Sequence, residues 1–228
     1  MEIHHKLKPP KNWREFLKEY GIIVLGVLTA LGAEQAVEAV HHRAEIGEAR
    51  EALREELAWN LTSFEQSVGL SRCILARLDE LQRWEKSWEK ARPLKLLKPI
   101  SFPVDVVFRS SVWRITAGDA VSRMPMDERT NYARLYDGLE MTAQQRLITN
   151  NAWADLAMYE NARRLSDVQL LPISKDIHAL NAMTQITGSN YKLMKHDFDR
   201  LGIQPSSSRV FELNFAQQTE LCKPLLRS

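Results

Sequence analysis

Residues Tyr20 to Ala33 read YGIIVLGVLTALGA, fourteen positions without a charge. Such a run has to be hidden from water, inside a protein core or inside a bilayer. A bilayer span needs about 20 mostly apolar residues. The run alone is short, but its flanks lengthen it. Trp13, Phe16 and Leu17 extend it upstream, and Ala36, Val37, Ala39 and Val40 extend it downstream. Arg14 and Lys18 can lay their stems along apolar surface and keep their charges in water, and Trp13 and Tyr20 suit an interface. The reading is a transmembrane helix over residues 16–40, preceded by a short cytoplasmic segment, 1–15. Two other readings compete. A cleaved signal peptide would use Ala30-Leu31-Gly32 as its small-residue site, but Glu15 and Glu19 precede the run and the helical pattern continues past the site. A buried helix of a soluble domain also fits an apolar run of about 10–14 residues.

Flanking charge sets the orientation. Residues 1–20 carry five cations (Lys6, Lys8, Lys11, Arg14, Lys18) against three anions, whereas residues 34–56 carry seven Glu against three Arg. Lys and Arg mark the cytoplasmic side of a span. The expectation is a single-pass protein of the bacterial inner membrane, with its N-terminus in the cytoplasm and its C-terminal region in the periplasm.

The stretch WREFLKEYGIIVLGVLTALGAEQAVEAVHHRAE resembles the opening of an uncharacterised family of single-span bacterial membrane proteins with a helical periplasmic region. A second patch, SSVWRITAGDAVSRMP, resembles that family's Trp-containing helix and Gly turn. The resemblance implies topology: a short cytoplasmic start, one span, a polar exit and a helical remainder. It implies no catalytic residue.

Beyond the span the pattern is helical. Ile46, Ala49, Leu53, Leu57, Leu61, Phe64 and Val68 step by three or four, and Leu75, Leu78, Leu81, Trp84 and Trp88 continue the step. Gly69 marks a bend between the two runs. Pro93, Pro99 and Pro103 define a linker from about Arg92 to Pro103. Val104 to Thr116 reads as a further helix with Val107 and Ile115 on its apolar side, stopped at Gly118. Asp127 opens another, running to about Arg164 and carrying Tyr132, Leu135, Leu147 and Trp153. Pro172 breaks the chain, and Ser174 caps a last long helix to Leu201, with Ile177, Leu180, Ile186, Leu193 and Met194 on its stripe. Gly202 follows as its C′ residue. The expectation is an all-α fold: a transmembrane helix continuing into an up-down helical bundle, 41–202, with a C-terminal tail, 203–228.

Chemistry-bearing motifs are sparse. Glu38-Ala-Val-His41 is an ExxH with His42 and Glu45 nearby, but carboxylate-bridged dimetal bundles use two ExxH motifs plus two further Glu. No second ExxH is present, so the group reads as a solvated polar patch. His178 and His196 stand alone on a helix and read as surface residues. The sequence contains no GxSxG, phosphate-binding glycine loop or HExxH. Trp59, Trp84, Trp88, Trp113 and Trp153 could line a ligand cleft, and their place on the apolar stripes favours core. Cys73 and Cys222 either form a disulfide, which would close a loop of about 150 residues and stabilise by about 4–5 kcal/mol, or stay as buried thiols. Within the span, Gly26, Ala30 and Ala33 form a small-residue seam suited to helix association in lipid. Ile46, Ala49, Leu53 and Leu57 can continue it as a short coiled seam or turn inward against their own chain.

Net charge is +2, which offers no global field for nucleic acid. The expectation is a non-enzymatic, membrane-anchored interaction or accessory subunit without cofactor or metal, in contact with lipid and associating with itself or with a membrane protein complex. The alternative is a periplasmic ligand-sensing bundle that signals through a partner protein.

Overall fold

The computed structural model describes residues 13–90, 93–103, 107–208 and 219–227. The expected cytoplasmic segment up to residue 12, the start of the linker at 91–92, the expected helix start at 104–106 and residues 209–218 of the C-terminal tail lie outside them. The described residues form an all-α fold of five helices: α1 Trp13–Gly69, α2 Ser71–Glu89, α3 Ser111–Thr116, α4 Met126–Ala157 and α5 Asp167–Arg200. Single 3-10 turns occupy Val121–Arg123 and Thr219–Cys222. Among the described residues there is no strand, only an isolated antiparallel bridge between Leu96 and Leu226. The chain divides into two compact units, Met1–Glu48 and Ala49–Ser228.

The first unit holds the N-terminal part of α1. It contains a helix long and apolar enough to cross a membrane, and none of its apolar window is buried. Ile22, Leu25 and Leu28 are 71%, 67% and 62% exposed. A helix in a protein core would hide such side chains, each worth about 1.5–3 kcal/mol when removed from water.

The second unit is built on the apolar stripe read from the sequence. Leu53, Leu57, Leu61 and Phe64 are fully buried along α1. The bend falls at Leu70, yet the hydrogen-bond ladder carries across it. Leu70 N–H reaches Gln66 C=O at 3.2 Å, and Ile74 N–H reaches Leu70 C=O at 3.0 Å. Cross-links then fix the path. Arg50 pairs with Glu128, Glu56 with Tyr136 and Ser67 with Arg146, so residue numbers rise together and α4 runs parallel to this part of α1. Arg134 faces Asp197 and Gln145 faces Asn190, so α5 runs antiparallel to α4. The non-helical segment before α3 supplies the missing descent. The path is up, down, up, down, the up-down bundle expected. Leu81, Trp84, Trp153, Leu156, Ile173, Ile177 and Leu180 share one core cluster.

Four local readings need correction. The Val104–Thr116 helix is cut to Ser111–Thr116, and Val107 and Ile115 are 70% and 81% exposed. The cause is buried polar residues on α1. The Asn60 side chain donates to Arg109 C=O and accepts from Arg109 N–H, both at 2.7 Å, which takes both backbone groups away from a helix ladder. Second, α4 stops at Ala157, short of Arg164, and Leu147 is exposed. Third, Pro172 lies inside α5. The helix starts at Asp167, where the Gln169 side chain accepts the Ser166 N–H at 3.0 Å. Proline there costs one backbone bond near the helix start, to the carbonyl of exposed Val168. Fourth, Ile186 and Leu193 face outward on α5.

The end of α5 follows its glycine. Gly202 takes φ +67°, its N–H reaches Asp199 C=O, and the next N–H, of Ile203, reaches Phe198 C=O at 3.0 Å. This is the double bond of a Schellman cap, and Ile203 and Phe198 are both buried beside it. The tail is part of the second unit, with Leu221, Leu225 and Leu226 buried.

Candidate functional site

The seam residues Gly26, Ala30 and Ala33 all lie exposed on α1 in the first unit. Spacings of four and three put them on one face. A Cβ added at Gly26 meets nothing within 4 Å. The neighbouring ExxH makes local side-chain contacts: His42 lies 3.2 Å from both Glu38 and Glu45, and His41 lies 3.1 Å from Glu45. Among the described residues no group of three or more His, Cys, Asp and Glu could hold a metal. His178 and His196 are exposed.

In the second unit the tail is strapped to α2. Cys73 and Cys222 form a disulfide across 149 positions, with Cα atoms 4.7 Å apart. One turn beyond Cys73 sits Arg77, 1% exposed on the apolar stripe. Its guanidinium donates to the carbonyls of Leu221 at 3.0 Å and Lys223 at 2.6 Å. Burial lowers its pKa from the usual arginine value, opposed by the charge of Glu80. Glu80 in turn accepts the N–H groups of Leu225 and Leu226, at 2.9 and 3.2 Å. The tail's backbone thus takes both hydrogen bonds of the Arg77 Nη2, and half-buried Glu80 takes those of the tail's N–H groups. Lys98 adds a bond to Glu220 C=O at 2.7 Å, and Leu97 N–H adds one to Leu225 C=O at 2.9 Å.

A second buried acid orders α3. Glu56 accepts Val112 N–H at 3.0 Å and the Tyr136 hydroxyl at 2.7 Å. The Tyr136 ring stacks on Trp113 with centroids 4.8 Å apart. Burial, then the bond to Glu56, pushes the Tyr136 phenol far up. Tyr191 repeats the motif more openly: burial and its 3.1 Å bond to Glu65 raise its pKa to about 12.

A cleft of about 80 Å³ opens inside the bundle between α1, α2, α4 and α5. Phe64, Leu70, Trp153 and Leu180 form a buried apolar floor, and Pro103 and Phe108 of the returning segment flank it. Ser67, Thr142, Arg146, Thr149, Thr184 and Thr187 supply the polar wall. The Arg146 guanidinium stands 5.7 Å over the Phe108 ring and donates to the Ser67 hydroxyl at 3.3 Å.

The tryptophans divide accordingly. Trp84 and Trp153 are buried core residues, and Trp153 also lines the cleft. Trp59, Trp88 and Trp113 are half-buried, with Arg109 stacked 3.5 Å over Trp59. The site residues that sequence reading passes over are Glu56, Asn60, Arg77 and Arg146. Three of them carried a signal: they interrupt the α1–α2 stripe at positions that its period assigns to the interior.

These features define a helical bundle with a strapped tail, preceded by a helix long and apolar enough to cross a membrane. No protein-family model, curated protein or solved structure matches the chain.

Proposed function

We propose that this is a single-pass protein of the bacterial inner membrane, of the kind that the opening residues resemble. Its N-terminus is cytoplasmic and its second unit periplasmic, where that unit serves as an interaction or accessory subunit. The observation that carries the reading is the Cys73–Cys222 disulfide. Disulfides persist in the periplasm and are rare in the cytosol. The same direction follows from the cationic residues before the span and the acidic ones after it. Association with a second copy or a membrane complex is supported by the open seam at Gly26, Ala30 and Ala33. In the bundle, Val168 and Leu171, one helical turn apart, present 82% and 73% exposed apolar side chains. A ligand-sensing role is the second reading, and the cleft favours it. Fusions after Ser228 test the orientation. Alkaline phosphatase should be active there and green fluorescent protein dark, and the reverse pattern would overturn it.

A further inference from the structure

The disulfide sits in the middle of the segment it anchors. Residues 219–227 contribute a 3-10 turn and no helix to the bundle. They lie along α2, through Arg77 and Glu80, and along the segment before α3, through Leu97 and Lys98. Leu221, Leu225 and Leu226 are buried there. Cys222 is one residue from the first of these leucines and four from the last. Four residues reach about 14 Å when fully extended. While Cys222 is bonded to Cys73, the leucines can therefore fray but cannot travel away from α2. The bond is within reach of solvent: Cys222 is exposed and Cys73 half-buried.

We propose that Cys73–Cys222 is a redox latch, and that its reduction by a dithiol frees residues 219–227 to swing off α2 while the helical bundle stays folded. The step transfers two electrons. One thiolate of the dithiol attacks the exposed Cys222 sulfur, the S–S bond breaks, and Cys73 leaves as a thiolate and takes up a proton. The second thiol of the dithiol, once deprotonated, attacks the mixed disulfide. It closes the reagent's own disulfide and releases Cys222, which is protonated in turn. The two protons lost by the dithiol match the two gained by the cysteines. The reduced tail keeps its docked ground state, because the Arg77 and Glu80 bonds and the three leucines still hold it. What changes is its freedom to open. Leu225 and Leu226 share a core cluster with Leu81 and Trp84 of α2 and with Ile100, so each opening bares part of that cluster. The side-chain contacts between α4 and α5, Arg134 with Asp197 and Gln145 with Asn190, involve no tail residue, so the strap can lift as a separate unit of low stability. The latch needs no particular orientation of the chain, only a dithiol in its compartment.

The test uses the full chain in detergent micelles, with dithiothreitol as the dithiol. Thiol labelling of the folded chain should count two cysteines after dithiothreitol treatment without urea. Hydrogen exchange read by mass spectrometry then follows two peptides, one over 219–227 and one over 150–157 of α4, which carries buried Trp153 and Leu156. Reduction should speed exchange in the first at least tenfold and leave the second protected. Low urea should not speed the tail further, because a local opening exposes little surface. Both measurements use the parent sequence, so no variant can confuse them by failing to fold. A bond that yields to dithiothreitol only in urea, a tail as protected after reduction as before, or a tail that opens only where α4 also opens overturns the proposal.

Discussion

Replacing Cys222 with Ser opens the covalent loop and leaves every other tail contact in place. The bond spans 149 positions, and the chain-entropy model gives about 5 kcal/mol for closing a loop of this size in the unfolded chain. That figure is a ceiling, because an unfolded chain that keeps residual structure has less loop entropy to regain. The Arg77 and Glu80 contacts and buried Leu221, Leu225 and Leu226 hold the native tail in both forms, but they cannot restrict the unfolded chain as a covalent link does. The expected loss is about 3 kcal/mol, which for a chain of this size lowers the melting temperature by about 6–12 °C. The assay is urea unfolding of the full chain in micelles, read by tryptophan fluorescence because Trp84 and Trp153 lie in the strapped core. Parent protein, reduced parent and Cys222→Ser should form a series in which the last two coincide. Thiol labelling of the unfolded, unreduced parent should find no free cysteine, and reduction should release two. A parent that labels fully without reductant, or a midpoint that does not move, would refute the reasoning.

Three further outcomes follow. Gly26→Ile should weaken self-association in a bacterial membrane two-hybrid assay, while Val24→Ile, on a different face, should change it little; equal signals would mean that Gly26 faces lipid. Burial raises the pKa of Glu85, opposed by its bond to Ser174. The folded state then holds a proton that the unfolded state releases, so stability falls as pH rises from the ordinary glutamate pKa through the raised one. Glu85→Gln should flatten that slope in unfolding curves across pH 4 to 7, and an unchanged slope would assign it to another group. Tyr136→Phe removes a buried hydroxyl from Glu56 and should cost about 1–3 kcal/mol in the same urea assay, with loss of the α3 packing visible as increased Trp113 emission; a neutral result would mean that water replaces the phenol.

The bundle was legible because Leu53, Leu57, Leu61, Phe64, Leu78, Leu81 and Trp84 keep a helical period, and burial follows that period directly. The Gly202 cap was legible because a left-handed backbone has a residue preference of its own. What escaped was set by distant partners. The sequence from Val104 reads as helix until Asn60, far away in the chain, claims the backbone of Arg109. Pro172 reads as a break because the capping contact that starts α5 lies upstream of it, between Ser166 and Gln169. Arg77 stands at an interior position of the stripe, but nothing near it in sequence shows that tail carbonyls 144 and 146 positions away close around it. The cleft was out of reach for the same reason. Arg146 meets Phe108 and Ser67 only after three separate segments have packed.

The strap also bears on the order in which the molecule can be completed. Cys73 sits early in the bundle and Cys222 follows all five helices. In the exported orientation proposed above, the second thiol reaches the oxidant only after every helix between them has crossed the membrane. Until then Cys73 is a lone thiol, and the Arg77 guanidinium lacks the two carbonyls that surround it. A chain halted partway through export would keep both features at once, a free Cys73 thiol and an Arg77 guanidinium without these carbonyls. In that orientation, closing the bond would require that the whole bundle has already been translocated.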